Sequence, residues 1–171
     1  MDTTQNDLQK LASMIKDIKF TMLTTVSNDG SLHSRPMATQ NLEENQFDGT
    51  LWFFSRKNSL KNHAIENEQH VNLAYANPDK QQYVSVSGRA HISSDRKKME
   101  ECWNPIFTAW FPEGLEDPEL TLIGVTVESA EIWDTPPSKM VQLVGFVKAS
   151  MTGKPFDQKV KSQHIDIQNN Q

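Results

Sequence analysis

The chain has 171 residues, of which 36% are hydrophobic, and its formal net charge is −5 at pH 7. This length fits one domain with a sizeable core, and a mixed, net acidic charge argues against a broad nucleic-acid surface. The single cysteine, Cys102, excludes an intrachain disulfide and a multi-cysteine metal site; we expect it to be a small buried residue in a reducing compartment.

Targeting and metal-binding signals are missing from the sequence. Residues 1–9 are polar and lack the apolar segment of a signal peptide, and no stretch is long and apolar enough to span a membrane. The five histidines are scattered without the paired spacing of metal ligands. We therefore expect a cytoplasmic protein with no metal centre and neither a membrane nor a nucleic-acid partner.

The first elements are a helix and a hairpin. Apolar residues at helical spacing predict a helix over 8–18, and residues 20–26 form the first strand. The turn 27–30 leads into a second strand, 32–39. Pro36 cannot donate to a strand ladder, so this strand lies at an edge, at a bulge or where the pairing opens. The proline also keeps Arg35 extended, which suits either a bidentate phosphate contact or a surface carboxylate.

An aromatic strand, 51–55, follows a polar turn and runs into a helix that begins after Asn58 or Ser59. Leu60, Ala64 and Ile65 provide the apolar stripe of this helix. With Ser59 as the cap, Lys61 lies in the first turn, where a cation is normally unfavourable. A bound anion such as phosphate would explain a lysine in the first turn of the helix. The alternative is that Lys61 is a solvated surface residue.

The later elements are mostly strands. Gly88 marks a bend or a close backbone approach in a long strand, and Ser94 with Asp95 caps a helix that carries Met99. Alternation is also compatible with a short docked strand at 160–167 in an otherwise polar tail. The predicted strands are 71–75, 83–92 and 120–133, the last with a bulge at 128–129, and a helix is predicted over 139–152.

Four large aromatic side chains cluster on one connection: Trp103, Phe107, Trp110 and Phe111. They can cover the end of the core, form a subunit interface, or make a wall over a flat ring.

The order of these motifs carries a resemblance. A hairpin with Arg35-Pro36-Met37, an aromatic strand that ends in Ser55, and Lys61 in the next helix resemble the flavin-binding split barrels of the pyridoxamine 5'-phosphate oxidase superfamily. The closer likeness is to the bacterial general stress protein branch, and it continues through residues 83–90, 110–114 and 131–134. It covers about residues 8–153.

The resemblance implies a mainly β, α+β fold: a six-stranded antiparallel split β-barrel with peripheral helices in a single domain, 1–153, and a polar tail, 154–171. It also implies a homodimer with FMN at the subunit interface. Arg35, Ser55 and Lys61 would bind the phosphate, and Trp110 would be a lid from the second subunit. The flavin ring would contact backbone groups at strand edges and would be covered by apolar side chains. The residues that supply these contacts would be Pro36, Met37, Phe53 and Phe54.

Several positions depart from the pattern of vitamin B6 oxidases. Leu60-Lys61 replaces an Arg-Lys pair, Gln40 replaces a lysine, and residues 99–102 lack the substrate-binding tyrosine and arginine. Losing charged contacts at roughly 1 kcal/mol or more each argues against pyridoxamine-phosphate oxidase activity. Two hypotheses remain: a flavin-dependent oxidoreductase of unknown small-molecule substrate, with no catalytic residue assigned, or a non-catalytic flavin-binding or flavin-buffering stress-response protein.

Overall fold

The computed structural model describes residues 3–40, 42–134 and 161–167. Within them lie the helices α1 Thr3–Ile15, α2 Leu60–Asn67 and α3 Arg96–Cys102. The strands are β1 Phe20–Val26, β2 Leu32–Ala38, β3 Thr50–Arg56, β4 His70–Asn77, β5 Gln82–Ser93, β6 Leu120–Asp134 and β7 Lys161–Asp166. The helix predicted over 139–152 lies outside the described residues.

All strand pairs are antiparallel, in the order β2-β1-β4-β5-β6-β3, with β7 beside β6. The two outer strands of this series, β2 and β3, approach each other, but within the described residues they are joined only by an isolated bridge between Gln40 and Trp52. The sheet is therefore a barrel that stays open between β2 and β3, which confirms the predicted split barrel with peripheral helices.

Strand β7 is the short docked strand anticipated within 160–167. It pairs with Ser129–Asp134 at the second half of β6, whereas β3 pairs with the first half. Its Ile165 is 2% exposed and belongs to the main core. Part of the polar tail thus completes the sheet.

Helix α1 covers one end of the barrel with Leu8, Leu11 and Ile15, all buried in the main core. The helix was predicted over 8–18 but ends at Ile15. Ile18 is also buried, yet it reaches the core from the turn that leads into β1, where its backbone N–H donates to the Ile15 carbonyl. Its helical spacing in the sequence was therefore misleading.

Within the described residues, no helix has the length and apolar character needed to cross a membrane.

The outer face of the β1–β2 hairpin is unusually apolar. Phe20 is 63% exposed, Met22 41% and Leu32 69%. The inner face of β1 instead holds Leu23 together with two buried threonines. This edge of the barrel therefore presents hydrophobic side chains to the solvent.

Gly88 lies where two strands approach closely. A Cβ atom at this position would collide with the Thr126 carbonyl oxygen and would lie 3.1 Å from Val125 Cγ1. The β5–β6 register shifts at the same point, because Ser87 pairs with Ser129 and Gly88 with Val127, which leaves Glu128 as the extra residue. Both the close approach and the bulge at 128–129 confirm the sequence interpretation.

We expect Gly88→Ala to lower the free energy of unfolding by about 2–3 kcal/mol, because the obstacle is a backbone oxygen that cannot rotate away. Ser87→Ala, at an exposed neighbouring position of the same strand, should change stability by less than about 0.5 kcal/mol. Urea unfolding followed by circular dichroism measures both. Equal stability of the two variants would contradict the close approach.

Candidate functional site

A groove of about 710 Å³ occupies the opening between β2 and β3. One wall is the end of β2 and the residues that follow it, and the opposite wall is the end of β3. Lys61 of α2 and the connection after α3 complete it, together with the turn between α1 and β1. The groove therefore lies where the wall formed by the described strands is incomplete.

Gln40 makes the bridge between the β2 and β3 edges, and the groove begins beyond this bridge. Its backbone N–H donates to the Trp52 carbonyl oxygen at 2.9 Å, and its buried side-chain amide donates to the Ala38 carbonyl oxygen at 2.7 Å. Both backbone groups of a residue in an antiparallel strand point to the same side, and this side alternates along the strand. Phe54, two residues after Trp52, thus directs its backbone N–H and C=O to the open edge, whereas Phe53 directs its own toward Ile123 of β6.

The structure brings most of the predicted binding residues together. Phe53 is an exception, since its ring is fully buried in the core and does not line the groove. Arg35 lines a neighbouring polar cavity between the hairpin and α2. The six that line the groove are Pro36, Met37, Phe54, Ser55, Lys61 and Trp110.

Positive charge is concentrated beside the groove, and no ion pair with a carboxylate balances it among the described residues. Burial, together with the positive charges of Arg35 and Arg56, lowers the pKa of Lys61. Burial also lowers the pKa of Arg35, whose guanidinium donates to Thr25 Oγ1 at 2.8 Å and to the Leu23 carbonyl oxygen at 3.4 Å. None of the ion pairs within the described residues involves these three cations. The arrangement is suited to an anionic ligand.

A buried polar cluster holds the start of α2 against β3. The hydroxyls of Ser55 and Ser59 donate to Asn62 Oδ1 at 2.8 and 3.0 Å, and the Asn62 amide donates to the Lys57 carbonyl oxygen. Ser59 is the N-cap residue, but its side chain makes no capping bond. The first amides of α2, those of Leu60 and Lys61, therefore have no acceptor within the helix or its cap.

Sequence analysis missed Asn62, which is 1% exposed. The only signal was an amide three positions after a candidate cap serine. Because Asn62 turns toward Ser55, Leu60 lies about 200° away around the helix and is 88% exposed. The prediction that Leu60 belongs to the buried stripe was therefore wrong, while Ala64 and Ile65 are buried as predicted.

The aromatic connection after α3 forms the apolar wall. Arg56 Nη2 donates to the Trp110 carbonyl oxygen at 2.6 Å, and the guanidinium carbon lies 5.5 Å from the centre of the Phe111 ring. The Phe107 ring is 5.0 Å from that of Phe54. Phe111 is buried in a second core cluster, but Trp110 is 57% exposed at the groove. This connection therefore covers the core with one part and lines the groove with another.

Comparisons with known proteins agree with this fold. A family model described as pyridoxamine 5'-phosphate oxidase like matches residues 6–157. Protein bli-3 of Neurospora crassa is 30% identical over 164 residues, which cover 91% of this chain and 76% of that protein.

Two solved structures are also similar. The general stress FMN/FAD binding protein of Xanthomonas citri is 27% identical, with a TM-score of 0.67 over 78% of this chain and 92% of that chain. A Clostridium acetobutylicum protein related to general stress protein 26 of Bacillus subtilis has a TM-score of 0.70 over 98% of this chain and 99% of that chain. At 14% identity, the second likeness concerns the fold alone.

We expect Lys61→Gln to stabilise the ligand-free protein at pH 7 by about 0.5 kcal/mol, a small gain because solvent screens a half-exposed charge. The pKa of Lys61 is lower in the folded protein than in the unfolded chain. Protonation therefore opposes folding, and this penalty disappears as the pH rises into the ordinary lysine range. The advantage of the variant should accordingly shrink between pH 7 and pH 10, and also with added salt.

Urea unfolding at several pH values measures this difference. Lys57→Gln in the preceding exposed turn is the matched control and should leave stability within about 0.5 kcal/mol of the wild type. A destabilised Lys61→Gln would mean that a carboxylate compensates the lysine in solution.

Proposed function

The chain belongs to the pyridoxamine 5'-phosphate oxidase-like family, and on this basis we propose that the groove binds FMN. One observation supports this most strongly: half-buried cations that have no carboxylate partner within the described part of the chain lie beside a largely apolar groove. The similar Xanthomonas citri protein is described as FMN/FAD binding. The chain would then be a flavin-binding member of the general stress branch.

The residues present fit such a cofactor. Lys61 and Arg35 supply the positive charge that a phosphate requires, and the first amides of α2 supply donors that have no acceptor within the helix or its cap. Ser55 is a weaker candidate than the cations, because its hydroxyl already donates to Asn62. Pro36, Met37 and Phe54 would hold the planar part of the ligand against the open edge of β3.

The reaction chemistry would come from the flavin, which accepts and donates electrons or hydride when bound. The protein would contribute binding, orientation and the exclusion of water. Phe107 would shield one side of the groove from solvent, and the backbone N–H and C=O of Phe54 would orient polar atoms of the ligand. We accordingly propose a flavin-dependent oxidoreductase that acts on a small molecule.

A second candidate is flavin binding without turnover. Among the described residues that line the groove, the charged side chains are Lys16, Lys19, Arg56 and Lys61, with no carboxylate or imidazole. General acid–base catalysis most often uses such groups, so their absence from the lining favours storage or buffering of the cofactor. Reduction of the bound flavin by NADH or NADPH without oxygen, at a catalytic rate, would distinguish the enzyme from the binding protein.

We further propose that the protein is a homodimer that encloses the groove. Phe20, Ile106 and Trp110 are 63%, 66% and 57% exposed, and all three line the groove. They continue the apolar outer face of the hairpin, formed by Met22 and Leu32. A second copy of the chain would cover this surface, and a two-fold axis would create two equivalent sites, with Trp110 as a lid over the partner's flavin.

The phosphate contacts can be tested by comparing FMN with riboflavin, which has the same ring but no phosphate. Arg35→Gln combined with Lys61→Gln should weaken FMN binding by on the order of 2–4 kcal/mol, because two charge-assisted contacts are lost. Riboflavin binding should change little. Fluorescence titration measures both affinities, with Lys57→Gln as the control, and wild-type protein that binds riboflavin as tightly as FMN would refute the phosphate site.

The dimer can be tested by sedimentation at micromolar concentration, with and without FMN. We expect a dimer, and we expect Met22→Glu to shift it toward monomer because a buried charge at the interface is costly. Leu60→Glu adds the same charge at an exposed apolar position outside this surface and should leave the dimer intact.

Trp110→Ala should weaken FMN binding more than it weakens folding. A wild-type monomer that still holds FMN would exclude the interface location.

A further inference from the structure

A buried tyrosine lies directly behind the groove. Tyr75 of β4 is 1% exposed, and its hydroxyl oxygen is 2.8 Å from Thr39 Oγ1. Thr39, which follows β2, is partly exposed and lines the groove. The two hydroxyls therefore connect the barrel interior with the candidate ligand site.

The acidity of the two hydroxyls indicates the direction of this hydrogen bond. A phenol is far more acidic than an aliphatic alcohol, so it is the stronger donor and the weaker acceptor. The Thr21 hydroxyl also interacts with Tyr75, but Thr39 is the partner that Tyr75 has at hydrogen-bonding distance and geometry. We therefore assign Tyr75 as the donor and Thr39 Oγ1 as the acceptor of this bond.

Once Thr39 accepts from Tyr75, its own hydroxyl proton is free to point elsewhere. A threonine hydroxyl has one proton and two lone pairs, and Tyr75 occupies one of the lone pairs. Thr39 is partly exposed and lines the groove, so its proton can meet a ligand acceptor there. Burial of Tyr75 raises its pKa, so the phenol stays protonated and remains a donor at physiological pH.

We propose that Thr39 is a ligand-contacting donor that Tyr75 orients toward the groove, where it selects ligands with a hydrogen-bond acceptor on the edge of a flat ring. This rests on the proposed flavin function and adds a specificity determinant to it. The acceptor class is a ring carbonyl or an unprotonated ring nitrogen. Thr39 would contact the ring portion of the ligand, whereas Lys61 and Arg35 act on its phosphate.

Thr39→Val tests the contact, because it removes the hydroxyl and keeps the shape of the side chain. We expect this variant to bind riboflavin and FMN about tenfold more weakly, to the same extent for both, and to shift the visible absorption of the bound flavin. Thr39→Ser retains the hydroxyl and should bind within about twofold of the wild type. Each kcal/mol of lost binding corresponds to about a fivefold change in affinity.

Tyr75→Phe tests the orienting role. Without the phenol, the Thr39 hydroxyl can rotate, and we expect riboflavin binding to weaken by about threefold with a smaller spectral shift. A tyrosine that serves only packing would change the melting temperature but not the spectrum of the bound flavin. Where this variant does not fold, the Thr39 pair decides the question.

Two outcomes separate this inference from the function on which it rests. Wild-type protein that binds neither riboflavin nor FMN would overturn both. Wild-type protein that binds both, with Thr39→Val matching its affinities and spectrum, would overturn the donor role of Thr39 alone. Equal weakening of Thr39→Val and Thr39→Ser would likewise overturn it, because the serine variant keeps the donor.

Discussion

The β2 and β3 edges share a single backbone bridge between Gln40 and Trp52, and the candidate site depends on that incomplete closure. A closed barrel would pair the Phe54 backbone with β2 and would fill the space with side chains. An open edge elsewhere on a sheet is a liability, since unpaired N–H and C=O groups recruit other strands. Here the open edge lies at the bottom of a groove, where a ligand can use those groups.

The charge arrangement has a stability cost in the ligand-free protein. Lys61 lies near two arginines and is partly removed from water, and the side chain of Ser59 makes no capping bond to the helix that carries it. Each of these features opposes folding when no anion is bound. Their coincidence at one groove, beside a family-typical fold, is the pattern expected where a binding site is retained at the expense of stability.

Local sequence patterns account for most of the structural features that were predicted correctly. The bounds of β1 matched, because alternation and the 27–30 turn are short-range signals. The close approach at Gly88 and the bulge at 128–129 could also be predicted, because a glycine inside a long strand often marks a bulge or a close backbone approach. The family resemblance came from the order of motifs, and it named Lys61 and Trp110, which both line the groove.

The missed features depend on contacts between distant residues. Tyr75 and Thr39 are 36 positions apart, and no spacing rule brings their hydroxyls together. Asn62 was overlooked because its burial depends on the position of Ser55 across the β3–α2 turn, and the exposure of Leu60 follows from the same rotation. Packing against the rest of the protein decides which face of a short helix is buried. The spacing of apolar residues in the sequence does not determine that packing.

Strand β7 has a consequence for how the chain reaches this fold. The second half of β6 gains its outer neighbour from residues 161–166, after residues 135–160 have been synthesised. Until then, Ser129–Asp134 present an unpaired edge, and the space later filled by Ile165 is open to water. Nascent or truncated chains that lack β7 would therefore be prone to intermolecular strand pairing. The last described strand of the chain thus protects the barrel from strand pairing with other molecules.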